Sequence, residues 1–305
     1  MSNILSNIES GLANNGNRTM SAIEVFRNST YCDLLETSLG QIHPYQQHNC
    51  FMLDAEGESV HICRTLLKAA SPYFASIRNS DIKGELEELI NSRKIDMCTL
   101  KEFTCYTRTG VIRISKDNVQ SVLSMSERFQ IDWIKDKCCR FLKQHFNHTN
   151  CFSIRKIAEK HSCKELHNYA YNYILRRFEK LTGSQEFLLL SLDEIEKLVQ
   201  DEDLCVKSEK SVLQAVMNWI KHSPEKRNIH LGRLMNCVRL HSLDMQFIID
   251  YVINEPLITN DPFCMKLILE TLKRSLANDP KAKRGQSKAR NGTKYLRFVK
   301  GLTGE

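Results

Sequence analysis

Cysteine and histidine are the residues of this chain with the most latent chemistry: twelve and ten of them among 305 residues. Three chemistries are open to such a set: zinc ligation, thiol–disulfide exchange and nucleophilic catalysis. A zinc site could draw on His145, His148, His161, Cys151 and Cys163, which lie close together in the sequence. A closed zinc site brings four donors to one tetrahedron and so uses ligand pairs at short, fixed intervals. The chain has no CxxC pair and no repeating Cys/His cluster at such intervals, so these residues read as core and loop positions. Cys138 and Cys139 are adjacent, but neighbours on a helix point to different sides, which suits burial better than a redox pair. A Ser/Cys–His–Asp triad would need a glycine-rich nucleophile turn, and none is present. Phosphate-binding and dinucleotide fingerprints are absent too. The expectation is a protein without catalytic residues, metal ligands or cofactor.

Composition is ordinary for a soluble globular protein. Apolar residues make up 42% and charged residues 26% of a chain long enough for about two domains. No apolar run approaches the length that spans a bilayer, and the first twenty residues lack the basic start and apolar stretch of a secretion signal. The cysteines are therefore expected as free thiols in a reducing compartment, most of them acting as small apolar side chains. The four N-x-[ST] sequons, at Asn17, Asn28, Asn147 and Asn291, would then carry no glycan. The net charge of +7 is concentrated at the end: from Asn278 onward, eight Lys or Arg face only Asp279 and Glu305. A nucleic-acid footprint would lie in that tail and not on a folded face.

Patterning supplies the elements that would position any site. Residues 1–22 are polar and rich in Asn and Ser, and read as disordered. Cys50–Glu56 and Ser59–Ile62 flank Gly57 as a hairpin. Arg64–Ile77 is helical, with Leu66, Leu67, Ala70 and Phe74 on one face and Pro72 as a kink or restart. Ile95–Met97 reads as a short strand, and Thr109-Gly110 as a turn before Val111-Ile112. From Lys116 the pattern is helical almost to the end. Leu166, Tyr169, Ala170, Tyr173 and Ile174 form one stripe; Val212, Ala215, Val216, Trp219 and Ile220 form another; Phe247, Ile248, Tyr251 and Val252 a third. Loops at His148–Asn150, Thr182–Ser184 and Ser223–Glu225 join these helices into antiparallel hairpins.

These blocks resemble a BTB/POZ domain followed by a BACK domain, as in the kelch-like proteins, over about residues 31–275. EGESVHICRTLLKAASPYF (56–74) is similar to the family's hairpin, helix start and Ser-Pro-Tyr-Phe run, with Cys63 where the family has histidine before Arg64. RTGVI (108–112) stands for the family's Tyr-Thr-Gly turn. Asn118-Val119, Phe129-Gln130 and Cys139–Leu142 follow in order. The BACK landmarks are NCFSIRKIAEKHSCKEL (150–166), FLLLSLDEIEKLV (187–199), DLCVKSEKSV (203–212), WIKHSPEKR (219–227) and CVRLHSLDMQFI (237–248), the last with His241 for a usual proline. The family's Cys-Asp-Val opening matches both Tyr31–Leu34, with an insertion behind it, and Cys50–Leu53, with the aspartate lost.

The resemblance implies an α/β BTB/POZ domain, mostly helical with a small sheet (23–145), an all-α BACK array (146–277) and a basic, disordered tail (278–305). It implies a substrate-adaptor or dimerisation subunit of a cullin-3 ubiquitin ligase. The partners would be cullin-3, a second BTB chain of the same or another kind, and a substrate protein; no nucleic acid and no membrane would be needed. Asp33 and Arg64 would lie at the dimer interface. Tyr73, Phe74, Ile82, Glu85, Asn150 and Ile154 would face the cullin, with Gly84 standing where the family has glutamate and Glu85 displaced by one position. The blade repeats of a kelch propeller do not occur in these 305 residues. The alternatives are a competitor that pairs with propeller-bearing relatives, and a nuclear BTB protein that uses the basic tail. The expected location is the cytoplasm, with the nucleus as a second site.

Overall fold

The computed structural model describes residues 23–33, 35, 49–55, 57–276 and 290. The expected disordered start, 1–22, and the basic tail lie outside the described residues, apart from Arg290. The chain forms two compact units: Met1–Phe146 with Lys156–His167, and Asn147–Arg155 with Asn168–Glu305.

The first unit contains two small antiparallel sheets. Strand β1 (Glu24–Arg27) pairs with β4 (Val111–Ile114), Glu24 opposite Ile114. Strands β2 (Cys50–Ala55) and β3 (Glu58–Cys63) form a hairpin in which Cys50 lies opposite Cys63. Gly57 makes the turn at φ +77°, a conformation that costs a residue without Cβ little. Leu53, Val60 and Ile62 point inward while Met52 and His61 face out, the alternation that a half-buried hairpin requires.

The helix expected over 64–77 is two helices, α1 (Arg64–Ala70) and α2 (Pro72–Ser76). Pro72 forces its predecessor out of helical geometry, and Ser71 is extended at φ −139°. Ser71 then caps α2, accepting from the Phe74 amide, and donates to the Phe129 carbonyl at 2.7 Å. Helices α3 (Ile82–Asn91), α4 (Met97–Thr109), α5 (Val119–Arg128) and α6 (Asp132–Gln144) complete this part. The strand expected at Ile95–Met97 does not form. Asp96 accepts from the Thr99 amide at 2.7 Å and starts α4 at Met97, so a cap outweighs a three-residue β preference. Gly110 ends α4 in the left-handed region, φ +66°, where a Cβ would stand 2.8 Å from that of Tyr31. The core centres on Phe74, Phe103 and Phe129, with ring centroids 4.7 to 6.2 Å apart.

Helices α7 (Cys151–Lys160) and α8 (Lys164–Leu181) contribute residues to both units. The second unit continues with α9 (Gln185–Leu188), α10 (Leu192–Gln200), α11 (Glu209–His222), α12 (Pro224–Arg227), α13 (Leu231–Cys237), α14 (Met245–Phe247), α15 (Pro256–Thr259) and α16 (Pro262–Leu276). Ser191 and Glu194 form a reciprocal capping box on α10. The stripe on α11 is buried as expected, and the Trp219 indole donates to the Leu190 carbonyl at 2.9 Å. On α8 the buried stripe is Leu166, Ala170, Ile174, Leu175, Phe178 and Leu181, whereas Tyr169 is 41% exposed. The expected stripe was centred too far toward Tyr169, which lies at its edge. The third expected helix is a short turn, α14, that widens into a π-turn over Ile248–Val252, with Ile248 and Val252 buried.

Candidate protein-docking faces

On the first unit, the segment from α2 to the start of α3 brings two of the expected contact residues together. The Tyr73 hydroxyl donates to the Glu85 carboxylate. Burial and that hydrogen bond push the Tyr73 phenol up to about 12, so the donor keeps its proton across the physiological range. Tyr73 and Glu85 are half-buried, while Arg78, Asn79, Ser80, Asp81, Lys83, Gly84, Glu87 and Glu88 are exposed around them. Phe74 and Ile82, expected as contact residues, are fully buried. Phe74 belongs to the aromatic core, and Ile82 anchors the first turn of α3. They hold the face up from beneath and cannot touch a docked partner without repacking. Gly84 is helical with open space where its Cβ would be, so a longer side chain there would meet no steric barrier.

Arg64 starts α1 directly after β3. Its Nε donates to the Asn79 carbonyl at 3.0 Å, tying α1 to the loop before α3. Its guanidinium lies 4.5 Å from the Phe51 ring centroid, a cation–π contact. Of the two possible openings, the strand that leads through the hairpin into Arg64 is therefore the one beginning at Cys50. Asp33 is exposed at the end of a helical turn after β1. That turn is held by Tyr31, whose hydroxyl donates to the Thr107 carbonyl at 2.8 Å and whose ring lies 5.0 Å from that of Tyr106.

In the second unit, Asn150 is half-buried and accepts from the Asn147 amide at 2.8 Å, folding the turn before α7. The Glu186 carboxylate accepts from the Phe152 and Ser153 amides, each at 3.2 Å, so α9 supplies an anion to the N-terminus of α7. Ile154 is buried, as Phe74 is, and shapes this turn from within. Behind it, Arg155 donates to Glu194 at 2.6 Å, with 3% and 19% of the two side chains exposed.

Several of the cysteines and histidines make internal contacts. All twelve cysteines are free thiols. Cys138 is fully buried on α6, and burial raises its thiol. Cys139, on the adjacent face, hydrogen-bonds Cys163; that contact and burial raise Cys139, and the same contact lowers Cys163. His161 meets Glu127 at 2.9 Å, and His145 lies 3.7 Å from Glu24. Cys151 is pushed up to about 12 by burial. No group of three or more His, Cys, Asp or Glu among the described residues is arranged to hold a metal ion, and no helix among them is long and apolar enough to cross a membrane. The Cys139–Cys163 and His161–Glu127 contacts were invisible in the sequence, since each joins elements separated by more than twenty residues.

The family described as BTB/POZ domain matches residues 45–146, and the family described as BACK, for BTB and C-terminal kelch, matches residues 151–253. The first match begins after Asp33 and includes the Cys50 strand. Kelch-like protein 17 of Mus musculus is 31% identical over 239 residues, which cover 78% of this chain and 37% of that protein. Kelch-like protein 5 of Homo sapiens is 31% identical over 240 residues, 78% of this chain and 32% of its own length. Kelch-like protein 3 of Homo sapiens is 33% identical over 222 residues, 73% of this chain and 38% of its own length. The chain therefore spans about a third to two fifths of the length of these relatives.

Proposed function

We propose, for a chain that belongs to the kelch-like BTB–BACK family, a role as the adaptor or dimerisation subunit of a cullin-3 ubiquitin ligase. The observation that carries this reading is the ordered pair of family matches, BTB/POZ then BACK. The action is purely associative. One BTB unit pairs with a second, the complex recruits the cullin, and a bound substrate is brought to ubiquitin-transfer chemistry that resides on other subunits. No catalytic group is required of this chain.

The Tyr73–Glu85 face is our candidate cullin contact on the first unit, and the turn at Asn150 the candidate contact on the second. Tyr73 is the expected anchor, because aromatic residues that are half-buried and hydrogen-bonded are already ordered and lose little entropy on docking. The exposed charges around it, Arg78, Lys83, Glu87 and Glu88, would set encounter rate and partner choice more than affinity. This role belongs in the cytoplasm, where cysteines remain thiols; the basic C-terminal segment would serve any nuclear pool.

The test is calorimetry of the full chain with the N-terminal domain of cullin-3. Micromolar or tighter affinity supports the reading, and Tyr73→Ala should weaken it at least about tenfold. Absence of binding by a folded, dimeric protein would overturn the ligase role and leave a dimerisation module.

A further inference from the structure

One residue of the basic C-terminal segment is buried in the second unit. The Arg290 guanidinium enters a socket at the junction of α10 and α11, where it is 1% exposed and its partner Glu209 is 5% exposed. Nη2 donates to Glu209 Oε1 at 2.6 Å and Nε to Oε2 at 3.1 Å. Nη1 donates to the carbonyls of Val199 at 2.6 Å and Asp201 at 2.8 Å. Four hydrogen bonds thus use four of the five N–H donors of a guanidinium.

The socket is built from the backbone as well as from the carboxylate. Val199 and Asp201 stand at the C-terminal end of α10, where carbonyls lack helical partners and the helix dipole is negative. Glu209 is in the first turn of α11, and its Oε1 also accepts from the Arg239 amide at 3.1 Å, which fixes the carboxylate. The Tyr171 hydroxyl donates to Asp201 at 2.7 Å and steadies the loop that carries one of the carbonyls. Two parallel bonds to a carboxylate and two further bonds to carbonyls suit the planar fork of arginine; a lysine ammonium, a single point, cannot occupy both ends. The rim is acidic, with Glu202 and Asp203 exposed, and complements a segment that has eight Lys or Arg against two acids.

We propose that Glu209 and the carbonyls of Val199 and Asp201 form a binding site for a single arginine side chain. Its occupant is Arg290 of the same chain. The site selects guanidinium over ammonium. This proposal is independent of cullin binding and stands or falls on its own.

The first experiment uses the native full chain. Arginine-selective modification by phenylglyoxal, followed by mass spectrometry, should label Arg290 at least ten times more slowly in the folded protein than in urea. Equal rates would overturn the proposal. The second uses full-length Arg290→Ala and a labelled peptide of residues 286–294, whose one arginine is Arg290. The peptide should bind the variant saturably and the wild type at least ten times more weakly, because the wild-type site is filled. The same peptide with alanine or lysine in place of that arginine should bind neither protein. Equal binding of the lysine peptide would reduce the site to general charge attraction and overturn guanidinium selection. If Arg290→Ala does not fold, the modification rate in the native protein still decides whether the site is occupied.

Discussion

The two units bury their polar groups differently, although each buries a set of rings, Phe152, Phe178 and Phe187 in the second. The first is centred on rings: Phe74, Phe103 and Phe129 are fully buried, and its lysine–carboxylate pairs Lys83–Glu87 and Lys101–Glu58 lie at the surface. The second buries guanidinium groups, Arg155 on Glu194 and Arg290 on Glu209. A hydrophobic cluster tolerates approximate partners of the right volume. A buried ion pair gives little net stability but is costly to leave half-made. The ring cluster therefore makes a firm, forgiving platform beneath the Tyr73–Glu85 face, while the buried pairs specify which loop or segment meets which helix.

The sharpest way to break this contrast is to cut one member of each kind. Glu194→Ala removes the carboxylate partner of the buried Arg155 and one half of the α10 capping box, and should cost about 3–5 kcal/mol, measured as the urea midpoint and by hydrogen exchange confined to second-unit peptides. Arg155→Met together with Glu194→Leu should recover much of that loss, because the buried charge is gone. Phe129→Ala should cost a similar amount, about 3–5 kcal/mol, in first-unit peptides. Here rescue would require refilling the cavity. If the double substitution in the second unit is no better than the single one, the distinction fails.

Smaller effects sharpen it. Gly110→Ala forces a left-handed alanine against Tyr31 and should destabilise the first unit by about 1–2 kcal/mol or more, releasing the β1 segment first in hydrogen exchange. Gly84→Ala should stabilise it by about 0.5–1 kcal/mol, since the position is helical and open; a loss of thermal stability would show that α3 depends on that glycine.

The smallest expected effect is a pH dependence. His161, and then Lys135, hold the Glu127 carboxyl below its ordinary value of 4.5. A carboxylate depressed in the folded state stabilises it above the unfolded value, and that contribution is lost as pH falls through the folded value. The urea midpoint of the first unit should therefore decline below about pH 4.5, and His161→Gln should flatten the decline. Glu127 is partly exposed, so salt should weaken the effect.

Much of this was legible in the sequence where local chemistry is decisive. Gly57 and Gly110 marked turns, Pro72 marked a restart, and the stripe on α11 named its own buried face. The reading failed where a short signal competed with a stronger one. Ile95–Met97 has strand-like residues, but Asp96 caps a helix. Tyr169 lies at the right spacing for a stripe, yet at its edge. Among the contact residues, Tyr73 and Glu85 do meet, while Phe74, Ile82 and Ile154 are buried, because an apolar residue in a motif is more often what supports a surface than what touches across it. Arg290 gave no sign of itself among eight basic residues in a segment without hydrophobic period.

The sequence by itself determined most of the element types, the order of two domains and the family, because periodicity, caps and turn residues act within a few positions of one another. Only the tertiary structure decided which strand enters the hairpin before Arg64, which thiol Cys139 meets and which arginine is buried. Those choices are made by contacts between residues distant in the chain, where charge and hydrogen-bond geometry select a partner that no local pattern encodes.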